Sequence, residues 1–188
     1  EALYLKTIQK YNKEERELFP QLVAETVIAL EENQEQDFLG NIFMNLELGN
    51  KSNGQFFTPY HVCELISKVT IGDILLQIEE NGYITVCDPC CGAGATLIAG
   101  IHEIRKPLEG KLNYQNHVLV AAQDTDYTTA LMCYIQLSLL GVAAYIKIGN
   151  TLTEPMRPND ALENYWFTPM YFSDIWTLRR IFRGKELL

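Results

Sequence analysis

Residues 86–100 read VCDPCCGAGATLIAG, three cysteines and three glycines set between an apolar run and a helix-like one. Two chemistries compete for such a stretch. Cysteines can hold a metal or cycle between thiol and disulfide; glycines can bend a loop closely around a nucleotide-like ligand. The cysteine reading is the weaker. Cys87 and Cys90 make one C-x-x-C pair, whereas a structural zinc site takes four ligands, usually as two such pairs. Cys63 and Cys133 stand alone, with His61 the one histidine close to either in sequence. No metal is expected. Cys90 or Cys91 would gain thiolate character at a helix N-terminus, but Cys87 belongs to the end of a strand. Filling small apolar gaps is the commoner use of such cysteines.

The glycines make the stronger case. Gly92 and Gly94 lie between a strand and a helix, the context a ligand-binding turn requires. A dinucleotide fingerprint would carry a third glycine where Leu97 stands, and a P-loop would continue with Gly-Lys-Ser/Thr, which is not found. Asp88, at the strand end, would repel phosphate and attract an ammonium group. The next strand ends in QDTD (123–126), and Asp124 falls where α/β folds hold ribose hydroxyls with a carboxylate. The plain alternative for Asp124 alone is an exposed loop acid. An ammonium group and a ribose together suggest S-adenosylmethionine (SAM).

The elements that must position these residues follow from hydrophobic period. YITVC (83–87), HVLVAA (117–122) and AAYIKI (143–148) read as strands, with helices over 95–105 and 128–140 between them. Gly141 suits the position just past a helix end. Alternating strands and helices with continuous apolar strands predict a parallel sheet covered on both faces. Thr58 and Pro59 are expected to open a further helix as N-cap and first residue, with Val62, Leu65, Ile66 and Val69 facing inward. Residues 1–50 read as a helical N-terminal extension. Leu18, Phe19, Leu22, Val23, Val27 and Leu30 share one helical face, and a second segment, DFLGNIFMNLEL, follows. The polar LGNKSNG (48–54) marks the expected boundary with a core over 51–188.

With 188 residues, 47% of them apolar, the chain has enough for one real core plus an extension. Five cysteines, an odd number, with no export signal or long apolar run lead to an expectation of reduced thiols in a cytoplasmic, non-membrane protein. The first residue is Glu, so a longer parent chain is expected. The net charge of −9 bears on partners. Proteins that grip duplex DNA unaided offer the phosphates a basic face. Here residues 1–50 hold ten Asp or Glu against four Lys or Arg. If nucleic acid is a partner, this chain is expected to bind it poorly alone.

In order along residues 37–153, the motifs resemble those of SAM-dependent N6-adenine DNA methyltransferases, especially the modification subunits of type I restriction systems. GQFFTP (54–59) is similar to the family's first ligand motif, and DFLGNIF (37–43) to the segment before it. DPCCGAG (88–94) resembles the methionine-binding loop, QDTD the acidic ribose motif, CYIQLSLLG (133–141) the helix after it, and GNTL (149–152) the next motif. The resemblance implies a Rossmann-like doubly wound α/β fold. It implies that Thr58 holds the methionine carboxylate, Phe57 packs near the cofactor and Asp88 takes the amino group. Gly92 and Gly94 give close backbone approach, and Asp124 takes the ribose. Phe57 as plain core stays open beside this.

Two positions depart from the family pattern. Asn150 stands where the family has an acid near the adenine. The family's catalytic tetrapeptide, Asn/Asp-Pro-Pro-Tyr/Phe, binds the target amino group and stacks on the extruded base, and it is not found in this chain. The nearest match is TPMY (168–171), which makes Thr168 and Tyr171 the catalytic candidates. The competing reading is a packing segment in which Trp166, Phe167, Tyr171, Phe172 and Trp176 cover the sheet or meet a protein partner. Target selection on DNA is expected to come from a separate specificity subunit or a further domain. The rival to an enzyme is a catalytically inactive SAM-binding or protein-interaction relative.

Overall fold

A computed structural model describes residues 2–46 and 57–183. The chain divides into two compact units, residues 1–34 and 35–188. The first holds α1 (Ala2–Ile8) and α2 (Lys13–Glu32). Asn12 starts α2 with a reciprocal capping box: its side chain accepts from the Glu15 amide while the Glu15 carboxylate accepts from the Asn12 amide. The expected apolar face of α2 is only partly buried. Leu30 is inside, whereas Leu18, Leu22 and Val23 are exposed. A 20-residue helix beside a seven-residue one leaves most of such a face uncovered within the unit.

The second unit is α/β. β1 (Ile84–Asp88), β2 (Val118–Asp124) and β3 (Ala143–Ile148) are parallel neighbours in sequence order. β4 (Tyr165–Phe167) adds to β3 antiparallel, which corrects the expectation of a wholly parallel sheet. α6 (Ala95–Leu108) and α7 (Tyr127–Leu139) make the two crossovers. Their Ile98, Ile101, Ile104, Cys133 and Leu137 pack with Val118, Val120, Ala144 and Ile146, so both helices cover the same face. The alternate strand residues Leu119, Ala121, Ala143 and Tyr145 face the other side. There they meet Tyr165, Tyr171 and Trp176. Tyr165, Tyr171 and Trp176 of the aromatic segment therefore cover the sheet and are buried, while Phe172 is exposed. α8 (Asp174–Arg183) is tied to the ends where β1 and β2 begin. Trp176 Nε1 donates to the Gln115 carbonyl at 2.8 Å and Arg179 to that of Gly82 at 2.9 Å.

Among the described residues the unit also holds the α-helices α3 (Phe38–Asn45), α4 (Tyr60–Thr70) and α5 (Ile74–Asn81). In α4, Pro59 is the N-cap and no side chain caps it, so the expected cap by Thr58 is corrected by one residue. The expected inner face is corrected too. Cys63 and Ser67 are buried, with Tyr60 packed beside Ala95 and Ala99, while Leu65, Ile66 and Val69 are exposed. The α6 residues that meet this face of α4, Ala95 and Ala99, are small and pack with Cys63 and Tyr60. Among the described residues no helix is long and apolar enough to cross a membrane.

Candidate functional site

The sheet's parallel strands end together, and the site is built at those ends. β1 closes with Asp88, and the chain then turns through Pro89–Cys90–Cys91–Gly92–Ala93–Gly94 into α6. Gly92 (φ 52°) and Gly94 (φ 99°) take left-handed backbone that side chains disfavour. Gly94 also permits a close packing. A Cβ there would lie 2.9 Å from Cys133 Sγ on α7.

The loop's amides are largely engaged by the protein itself. The Cys90 amide donates to Asp88 Oδ1 (3.0 Å), the Cys91 amide to the Gln123 carbonyl (3.0 Å), the Gly92 amide to Asp124 Oδ2 (2.8 Å) and the Gly94 amide to the Cys91 carbonyl (2.8 Å). A phosphate cradle needs such amides free and no anions beside them. Here two carboxylates, Asp88 and Asp124, accept from the loop. Both are half-buried. Desolvation raises the Asp88 carboxyl above its ordinary range, the Cys90 amide pulls it back, and the Asp124 charge adds to the rise. The arrangement favours a cation and hydroxyl donors over a phosphate.

The other motif residues meet this loop. Phe57 lies against Gly92, where a Cβ would be 3.5 Å from its ring, and stacks on Phe43 of α3 at 5.6 Å between centroids. Thr58 is exposed, and its carbonyl is approached by the Cys63 thiol, which also contacts the Thr96 hydroxyl in the first turn of α6. Gly54, Gln55 and Phe56 of GQFFTP lie outside the described residues. Asn150 is exposed and caps the turn after β3, its Oδ1 accepting from the Leu152 amide at 2.9 Å. Its neighbours join the turn to the site. The Gly149 amide donates to the Asp124 carbonyl, and the Thr151 hydroxyl to that of Pro89. Phe57, Asp88, Gly92, Gly94, Asp124 and Asn150 thus share one neighbourhood.

Thr168 and Tyr171 do not join it. β4 runs antiparallel, from Tyr165 opposite Lys147 to Phe167 opposite Tyr145, so the chain leaves the site as it approaches Thr168. The Thr168 amide donates to the Ala144 carbonyl, four residues before Ile148 and roughly 13 Å away by strand rise. Its buried hydroxyl donates to the Val142 carbonyl at 2.6 Å and accepts from the Ala144 amide at 2.9 Å. Tyr171 lies under the Arg180 guanidinium, 4.1 Å from its ring centroid.

Three of the cysteines, Cys63, Cys91 and Cys133, behave as packing residues, whereas Cys87 and Cys90 are exposed. Cys91, Cys133 and Cys63 are buried, and Cys91's thiol is pushed up by its hydrogen bond to Cys133 and by burial. Burial likewise raises the Cys63 thiol, and partial desolvation together with the adjoining Asp88 charge raises that of Cys87 on an otherwise exposed residue. Among the described residues no three His, Cys, Asp or Glu side chains gather as a metal site.

Sequence reasoning missed the polar residues beneath the loop. Gln136 is fully buried on α7 and Gln123 nearly so on β2. Gln123 Nε2 donates to the Gly149 carbonyl (3.2 Å) and the Glu154 carbonyl (2.9 Å), fixing the turn after β3. The signal for Gln136 is its amide among the buried residues of α7, beside Thr129, Ala130, Cys133 and Leu137.

A family model described as N-6 DNA Methylase matches residues 34–186. The type I restriction enzyme MpnII methylase subunit of Mycoplasma pneumoniae is 28% identical over 98 residues, 52% of this chain and 16% of that protein. The chain thus matches only a minor part of that relative's length. No solved structure matches. The matched span takes in the whole βα site just described, and the chain belongs to the N-6 DNA methylase family.

Proposed function

We propose that this chain is the SAM-binding core of an adenine-N6 DNA methyltransferase of a restriction–modification system, built as a Rossmann-like α/β half with a helical extension before it. The observation that carries the reading is the pair of carboxylates, Asp88 and Asp124, flanking a glycine loop whose amides they engage. SAM supplies an electrophilic methyl on a sulfonium centre. Asp88 has one oxygen on the Cys90 amide and offers the other to the ammonium group. Asp124 stands at the end of the adjacent strand, positioned to accept from ribose hydroxyls. Gly92 and Gly94 keep side-chain bulk off the ligand, Phe57 walls the loop, and Asn150 lies towards the base with both donor and acceptor capacity. Thr58, just before the α4 N-terminus, is placed for a carboxylate.

The residues that accept the target amino group are proposed to come from outside TPMY, because the Thr168 hydroxyl is engaged in joining β4 to β3. This favours a second reading, a SAM-binding relative that transfers nothing until another chain or segment completes it. DNA is proposed to be engaged together with a separate specificity subunit, since the net charge of −9 opposes unaided binding.

Calorimetric titration of the purified chain with SAM tests the cofactor site. Micromolar binding, abolished in Asp124→Ala, is expected. A folded chain that ignores SAM would end the methyltransferase reading. A methyl-transfer assay on DNA with candidate partner subunits then separates the active core from the inactive relative.

A further inference from the structure

We infer that Gln136 is a positioning residue for the cofactor loop, coupling the segment DFLGNIF to the peptide between the two loop glycines. Gln136 is fully buried and uses its whole amide. Nε2 donates to the Ala93 carbonyl at 2.9 Å and to Asp37 Oδ1 at 2.8 Å, and Oε1 accepts from the Leu39 amide at 3.1 Å. Asp37 is itself buried, and its Oδ1 also accepts from the Gly40 amide at 2.9 Å, closing the first turn of α3.

The geometry gives the network a direction. A trans peptide sets its carbonyl and amide on opposite sides, so fixing the Ala93 carbonyl also fixes the Gly94 amide, which donates to Cys91. Gly92 and Gly94 have no side chains to hold this peptide plane, and both lie in left-handed backbone that a free chain leaves readily. Gln136 provides that restraint from below. The same side chain holds the start of α3, whose Phe43 stacks on Phe57, and Phe57 in turn lies on Gly92. The loop is therefore gripped at the Ala93 carbonyl directly and at Gly92 through the two aromatic rings. The inference rests on the SAM reading for its consequence in ligand affinity, and not for the restraint itself.

Two measurements separate these. Hydrogen exchange on the ligand-free chain compares wild type with Gln136→Met, which keeps shape and removes every bond. Gln136→Glu keeps the acceptor for Leu39 and removes the donor. In both, the Gly92 and Gly94 amides are expected to exchange at least tenfold faster while the β2 and β3 amides keep their protection. SAM affinity is expected to fall about tenfold. Unchanged loop exchange in a folded variant overturns the inference, as does wild-type SAM affinity with a loosened loop. Loss of a cooperative melt in both variants also overturns it, by placing Gln136 in the folding core instead. A loosened loop in a chain whose wild type ignores SAM removes the cofactor reading and leaves the restraint standing.

Discussion

Asp124 has two tasks, and they fall on different oxygens. Oδ2 accepts from the Gly92 amide, while Oδ1 accepts from the Asp126 amide at 2.9 Å and sits 3.4 Å from the Thr129 hydroxyl. Asp124→Ala is therefore expected to cost stability as well as SAM affinity, by about 2 kcal/mol in denaturant melts. The two loop glycines separate conformational strain from steric overlap. Gly92→Ala meets only the Phe57 ring at 3.5 Å, and its cost is the left-handed backbone alone, about 1 kcal/mol. Gly94→Ala adds a 2.9 Å overlap with Cys133 Sγ, and a loss of about 3 kcal/mol is expected. Adding Cys133→Ala should return only the overlap part.

At the scale of elements, β4 and the α4–α6 pair each yield a test. Thr168→Val removes a buried hydroxyl that bonds the Val142 carbonyl and the Ala144 amide. It should lower stability by about 2 kcal/mol and leave SAM affinity unchanged; a variant of normal stability that loses methyl transfer would instead restore Thr168 to the chemistry. Between α4 and α6, Tyr60 Oη lies 3.0 Å from His102 Nδ1. Burial pushes the His102 imidazole down to about 4, with Glu35 opposing the shift and Arg105 and Lys106 adding to it. The unfolded chain takes up this proton near the ordinary value of about 6.5 and the folded chain only near 4. Stability is then full above pH 6.5, falls by about 3 kcal/mol as the pH drops towards 4, and levels off below it. Urea midpoints against pH should show this slope, and His102→Phe should flatten it.

For the whole molecule, the opposing quantities are charge and completeness of the sheet. With a net charge of −9, the chain alone should not retain a DNA duplex at a salt concentration of about 0.15 M. A gel-shift titration checks this, and tight binding would show that a separate DNA-reading subunit is not needed. The sheet is unevenly covered. Its second face is packed over β2 and β3, but Thr85 and Cys87 of β1 are exposed, and β1 has no outer neighbour among the described residues.

The strands, the crossover helices and the glycine loop were legible because each depends on local pattern: period, β-branched runs, and glycines at a strand–helix junction. β3 was read to the residue and β1 and β2 within two. α5 is legible only from its ends, Asp73 as N-cap and Gly82 as left-handed C-cap. The sequence by itself determined the glycine turn and the acids at two strand ends, since residue type alone dictates a left-handed turn or a charged end. Tertiary structure alone decided which face of α4 is inside, because the surface it meets on α6, Ala95 and Ala99, takes Cys63 and Tyr60 and leaves Leu65, Ile66 and Val69 exposed. It also decided that TPMY lies away from the site, because strand direction is set by pairing between segments and not by the residues of β4.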